Sequence, residues 1–311
     1  MTEAGRHLRL GTRASALAVV QAEWVAAEIR VRAPGTAVEL VRIKTSGDRI
    51  RDRPLYEVGG KGLFVKEIEE ALLGGAVDLA VHSLKDLPAA LAPGLALASV
   101  PRREDPRDCL VSSAAATLAA LAPGARIGTG SLRRGAFLRH ARPDVEVVPM
   151  RGNVDTRLTK WRTGEIDAVL LAAAGLRRLG ALVPEAHPLP IEEMLPAIGQ
   201  GALAIETRED GLAFAIAARM NDPATADAVR AERAFLRGMG GDCTTPIAAL
   251  ATVEGSDVRL DAAVASPDGR QVVRGELRGA RSEAEALGLT LAEELLARGG
   301  GDILRELERP R

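Results

Sequence analysis

Aromatic residues make up 2% of this 311-residue chain. Stacking platforms for nucleic-acid bases need aromatic rings, so no such surface is expected. The net charge of −1 also lacks the basic excess of a nucleic-acid binder. Two cysteines are present, Cys109 and Cys243, far apart in sequence. The four histidines (His7, His82, His140, His187) are scattered and show no ligand spacing with either cysteine, so no metal site is expected. Long apolar runs are missing as well. Ala168 to Ala174 is the longest obvious one, far short of the ~20 residues that a membrane span needs. Met1 to Leu10 lacks the apolar core of a signal peptide. Cytoplasmic residence with free thiols is therefore the expectation. Lysine is scarce, so most of the 41 basic residues are arginine.

What is present is an alternation of strand-like and helical patterns up to residue 220 or so. Leu8 to Gly11, Val38 to Ile43, Leu79 to Val81, Leu95 to Val100, Ile127, Val145 to Val148 and Ala168 to Leu171 read as strands. Between them, Ala16 to Arg30 carries Leu17, Val20, Trp24 and Ala27 at helical spacing, and Gly62 to Leu73 carries Leu63, Ile68 and Leu72. This is the β-α-β rhythm of an α/β fold with mostly parallel sheets. Two polar, proline- or glycine-punctuated stretches, Val100 to Pro106 and Leu195 to Gly201, read as crossings between two such domains. After Asn221 the pattern changes. Asp222 before Pro223 is a helix start. Three runs follow, Ile247 to Val253, Val258 to Ala265 and Gln271 to Leu277, with turns at Gly255 and at Pro267 to Gly269. They read as an antiparallel meander in a small α+β domain. Ser282 with Glu285 predicts a capping box for a last helix.

Two helices begin with arginines where acids would be favoured. Thr129-Gly130-Ser131-Leu132-Arg133-Arg134 opens one, with Ser131 as N-cap. Arg151-Gly152-Asn153-Val154-Asp155-Thr156-Arg157 opens the other, with Asn153 as N-cap. A cation in a first turn costs a few tenths to about 1 kcal/mol. Four arginines at two such ends predict an anion that supplies the missing charge. Thr12-Arg13-Ala14-Ser15 repeats the device after the first strand. The arginines are expected to converge on one cleft and to grip a polyanion through bidentate forks.

The strand ending at Val81 runs into His82-Ser83-Leu84-Lys85-Asp86. Ligands gather at the carboxyl ends of such strands. Asp86 is then either a proton donor and charge stabiliser or half of a surface Lys-Asp pair. Gly59 to Phe64 lacks the spacing of a P-loop and suits a lid carrying Lys61. Cys243 lies on a loop between a helix and a strand, and its own residues point no further than an ordinary free thiol. Cys109 reads as the more buried and inert of the two. A binding module for a small dicarboxylate would explain the arginines without Cys243 or Asp86. A phosphate-ligand transferase using Gly59 to Phe64 is a third possibility.

These motifs together resemble the porphobilinogen deaminase (hydroxymethylbilane synthase) family. The resemblance rests on Thr12 to Ser15, Gly59 to Phe64, Ala80 to Asp86, Arg103 to Asp108, Ser131 to Arg134, Arg151 to Asn153, Leu195 to Gly201 and Ala231 to Arg233. It implies two periplasmic-binding-protein-like domains plus a third domain that carries a cysteine. The implied spans are 1–101 with 200–219, 102–199, and 220–311. It implies a monomeric transferase that joins four porphobilinogen molecules into a linear hydroxymethylbilane, releasing ammonia each time. The implied cofactor is dipyrromethane, bound by a thioether to Cys243. Asp86 matches the catalytic acid. The implied binding residues are Arg13, Ser15, Ser83, Lys85, Thr129, Ser131, Arg133, Arg134, Arg151 and Arg157, with Lys61, Phe64 and Gln200. One departure is Asp242, where glycine usually precedes the cysteine.

Overall fold

The computed structural model describes residues 6–49, 62–241 and 245–308. They separate into two compact units. One holds 6–49, 62–104 and 202–226; the other holds 105–201, 227–241 and 245–308.

In the first unit, β1 (Arg6–Arg13) leads into α1 (Ala16–Arg32). Ser15 caps that helix by accepting from the Ala18 amide, as its residue type predicts. The helix stops where Ala33 precedes Pro34, since a residue before proline disfavours helical dihedrals. Its buried face is Ala18, Ala22, Val25, Ala26 and Ile29, not the expected Leu17, Val20, Trp24 and Ala27; Trp24 is 44% exposed. Both sets have helical spacing, but the alanine-lined face lets the helix sit close to the sheet. There follow β2 (Thr36–Ile43), the short α2 (Ser46–Arg49), α3 (Lys66–Leu73), β3 (Leu79–Ser83) and β4 (Leu95–Ser99). The helix expected from Gly62 starts at Lys66, because Gly62 sits at φ +75° in a preceding turn. The sheet order is β2-β1-β3-β10-β4, where β10 (Leu203–Arg208) returns from much later in the chain. β10 runs antiparallel to both neighbours, while the other four strands share one direction. Leu8, Leu10, Val81, Leu203 and Ile205 form the core on one face with α1 and α7 (Gly211–Ala218).

The second unit repeats this layout. Its strands are β5 (Asp108–Val111), β6 (Arg126–Thr129), β7 (Glu146–Pro149), β8 (Ala168–Ala172) and β9 (Ala186–Pro188). The order is β7-β6-β8-β5-β9, and β5 is the reversed strand. In both sheets the reversed strand directly follows a crossing from the other unit. Helices α4 (Leu132–Ala141), α5 (Val154–Arg162) and α6 (Ala173–Arg178) connect the strands. Four of five strands per sheet are thus parallel in direction, as the β-α-β rhythm implies. β5, β9 and β10 are not among the strands expected from the sequence.

Helix α8 (Pro223–Gly238) begins at Pro223, with Asp222 accepting from the Thr225 amide at 2.8 Å. The expected meander is present as β11 (Ile247–Glu254), β12 (Asp257–Ala265) and β13 (Val272–Ala280), all antiparallel. Helix α9 (Ala284–Leu295) packs Leu291, Ala292 and Leu295 inward, and α10 (Gly301–Glu308) follows. The capping box expected at Ser282 does not form. Residues Arg281–Glu283 make a 3-10 turn, so Ser282 lies inside a helical turn and no side chain caps α9.

Candidate active site

In the first unit, the carboxyl ends of the adjacent parallel strands β1 and β3 supply the chemistry. β1 ends in Arg13. Its Nη2 donates to Asp48 Oδ1 at 2.5 Å, its Nη1 lies 3.9 Å from Asp86 Oδ2, and the Phe64 ring centroid lies 4.0 Å from its guanidinium carbon. Burial would raise the Asp48 carboxyl, but hydrogen bonds from Arg13 and Thr45 outweigh it and hold the group below its usual value. β3 ends in Ser83, whose hydroxyl accepts from Gln21 Nε2 at 3.1 Å. A single 3-10 turn, Leu84–Asp86, then carries Lys85 and Asp86. Buried Leu84 fixes this turn, its amide donating to the Ala202 carbonyl at 3.1 Å. The Asp86 side chain stays 32% exposed, open to a substrate. Ser15 is half-buried at the head of α1.

In the second unit, Thr129 ends β6 and its hydroxyl accepts from the Ser131 amide. Ser131 caps α4 and Asn153 caps α5, as their residue types predict. The charge balance at α4 differs from expectation. Arg133 and Arg134 are buried, and the anion facing them is the chain's own Asp108. Arg133 Nη2 donates to one carboxylate oxygen at 2.7 Å, and Arg134 Nη2 donates to the other at 2.7 Å. Gln200 Nε2 adds a bond to Asp108 at 2.8 Å and another to the Pro106 carbonyl at 2.7 Å. Burial opposes ionisation of Asp108, yet the two guanidinium groups hold its carboxyl far below the usual range. Asp108 was missed because its partners lie 25 and 26 residues away. The available signal was an acid heading the apolar run Cys109 to Val111.

The second helix end carries Arg157. Arg157 is half-buried, with Nε donating to the Gly152 carbonyl at 3.0 Å. Burial, then the charges of Arg134 and Arg151, push its guanidinium down to about 10. A bound carboxylate would offset both the burial and the like charge. Gly152 stands at φ +107°, and a Cβ on Gly130 would fall 2.3 Å from the Met150 carbonyl, so both turns require glycine. Lys61 and Cys243 lie outside the described residues. Cys243 falls in the connection between the end of α8 and the start of β11. Cys109 is fully buried, and burial followed by the charges of Asp105 and Asp108 pushes its thiol up to about 11. Among the described residues, no cluster of His, Cys, Asp or Glu could hold a metal ion, and no helix is long and apolar enough to cross a membrane.

An α/β enzyme that handles acidic ligands is the class these strand ends define: arginines and hydroxyls in each unit, and in the first a partly exposed carboxylate beside them. The family described as "Porphobilinogen deaminase, dipyromethane cofactor binding domain" matches residues 8–215, and "Porphobilinogen deaminase, C-terminal domain" matches residues 226–297. A porphobilinogen deaminase of Pelobacter propionicus is 54% identical over 303 residues, covering 97% of each chain. One of Syntrophotalea carbinolica is 52% identical over 302 residues, covering 97% of this chain and 96% of its own. Among solved structures, a methionine-binding protein has a TM-score of 0.45 at 13% identity, over 69% of this chain and 89% of its own. The chain belongs to the porphobilinogen deaminase family, tetrapyrrole-building transferases with a dipyrromethane cofactor.

Proposed function

We propose that this chain joins four porphobilinogen molecules head to tail into hydroxymethylbilane, releasing one ammonia per condensation, from a dipyrromethane held by a thioether at Cys243. The observation that carries the proposal is the placement of Asp86 beside Arg13 at the ends of neighbouring parallel strands. When bound, the cofactor supplies an electron-rich pyrrole carbon and several carboxylates. The donor chemistry fits it. Arg13, Ser15, Ser83 and Lys85 in the first unit, and Thr129, Ser131, Arg151 and Arg157 in the second, are the hydroxyls and cations that acetate and propionate groups require. The setting of Arg157, where burial and then the charges of Arg134 and Arg151 disfavour its cation, supports this reading.

Asp86 gives its proton to the departing amine of porphobilinogen and then, as a carboxylate, stabilises the cationic methylene-pyrrole left behind. Arg13 orients that carboxyl group, with the Phe64 ring flanking the guanidinium. Phe64 and, by the family resemblance, Lys61 belong to the same set of binding residues. Arg133, Arg134 and Gln200 act through Asp108, setting the floor on which Ser131 stands. The domain spans 1–101 with 200–219, 102–199 and 220–311, action as a monomer, and a cytoplasmic location belong to the same proposal. Intact mass tests it. The native protein should exceed its sequence mass by two pyrrole units, and Cys243→Ser should lose both increment and turnover. An unmodified, fully active protein would overturn it.

A further inference from the structure

Behind the reacting end of β3, inside the first unit, lies a buried pair that the chemistry above does not use. His82 Nε2 is 3.0 Å from Glu206 Oε2, with side-chain exposures of 3% and 0%. They face the same side of the sheet. Ala204 is the register partner of His82 across the antiparallel β3–β10 pair, and Glu206 lies two residues further on. Neither Glu206 oxygen has an aligned hydrogen bond, nor does His82 Nε2. The approach is therefore a close polar contact and not an aligned hydrogen bond. Glu69 of α3 is the third group there. It is half-buried and accepts weakly from the Ala92 amide at 3.4 Å. Burial and then the charge of Glu206 push its carboxyl up, whereas His82 pulls it down.

An unpaired carboxylate at this depth costs several kcal/mol. The nearest approach to it is His82 Nε2, 3.0 Å from Glu206 Oε2. The strand that carries His82 is also the strand that delivers Ser83, Lys85 and Asp86. Its far end is pinned by Leu84 on the Ala202 carbonyl and by Gln21 on Ser83. Ala202 immediately precedes β10, so the His82–Glu206 contact and the Leu84–Ala202 bond brace the same two strands on either side of Ser83. Catalytic groups tolerate misplacement of well under 1 Å before rates fall.

We propose that His82 is a positioning residue for Asp86: its buried contact with Glu206, with Glu69 beside the pair, ties β3 to β10 and thereby fixes the register from which the Leu84–Asp86 turn emerges. His82 touches no substrate. The inference rests on the proposed acid role of Asp86.

The test is a double-mutant cycle on cofactor-loaded protein whose loading is verified by intact mass, with porphobilinogen as substrate. His82→Gln should lower kcat about tenfold with KM within about twofold, the split that misplacement of a transition-state group produces. Glu206→Gln should do likewise. The double variant, which pairs two neutral amides, should recover most of the loss, because no buried charge remains unpaired. A wild-type kcat in His82→Gln, a loss carried by KM, or a double variant no better than either single would each overturn the proposal. Should His82→Gln fail to fold, Glu69→Gln serves, since that side chain is only half-buried; a loss of about threefold in kcat at constant KM is expected, and an unchanged kcat would overturn the idea. Wild-type protein that does not consume porphobilinogen would instead reject the enzymatic reading itself.

Discussion

The Arg13 guanidinium and the Asp86 carboxylate stand 3.9 Å apart, one at the end of β1 and the other just past the end of its parallel neighbour β3. Arg13 is also bound by Asp48 and flanked by Phe64, so its orientation is set before any substrate arrives. Asp86 keeps 32% of its side chain exposed.

Replacing Asp86 by alanine should leave the cofactor in place and slow turnover. General acid catalysis contributes roughly 100- to 10,000-fold, and a loss in that range is expected in kcat. Intact mass gives the loading and a steady-state assay gives the rate. A rate close to wild type would remove Asp86 from the reaction.

Arg157→Leu and Arg134→Leu should fail differently. Arg157 sits in crowded positive charge, and its loss should weaken capture of the acidic substrate by roughly 10- to 100-fold in KM, the range for a hydrogen bond to a charged group. Its folding stability should change little. Arg134→Leu strips Asp108 of one of its two cations and should cost about 3 kcal/mol of stability. Denaturant midpoints beside KM values separate the two. Equal stability loss in both would contradict the distinction.

Asp108 also predicts a pH dependence. Its folded carboxyl is held below the ordinary 3.8 by Arg133 and Arg134 against the cost of burial. A depressed acid contributes stability that is fully present above the unfolded value and is lost as pH falls through it toward the folded one. The melting temperature should therefore decline below about pH 4 by a component that Asp108→Asn lacks. Asp108→Asn should also be less stable than wild type at neutral pH.

Thiol counting checks both cysteines at once. Cys109 is buried, with a thiol pushed up to about 11, so it should resist iodoacetamide at neutral pH in the folded protein. After unfolding, one thiol should react. Two would mean that Cys243 carries no thioether.

Local chemistry was legible in the sequence. Ser15, Ser131 and Asn153 cap helices because a hydroxyl or amide can reach an amide three residues on, and nothing distant intervenes. The meander was visible because its turns announce themselves at Gly255 and Gly269. Distant pairing was not. β5 and β10 bury Asp108 and Glu206, polar residues that read as surface until Arg133, Arg134 and His82 are placed against them. The surplus arginines at α4 pointed to an anion correctly, yet not to one inside the chain. Ser282 misled because a capping-box pattern is indifferent to the 3-10 turn that absorbed it. The rule that ligands gather at strand carboxyl ends pointed to Lys85 and Asp86, and Asp48 was invisible to it.

The insertion of β10 between β3 and β4 has a consequence for synthesis. A ribosome must extend the chain past Arg208 before the first sheet can close, although its other four strands emerge far earlier. Until then β3 and β4 each present an open edge, the kind of surface that invites wrong partners. Nascent chains arrested before Ala202 should lean on chaperones, and those arrested after Arg208 should not.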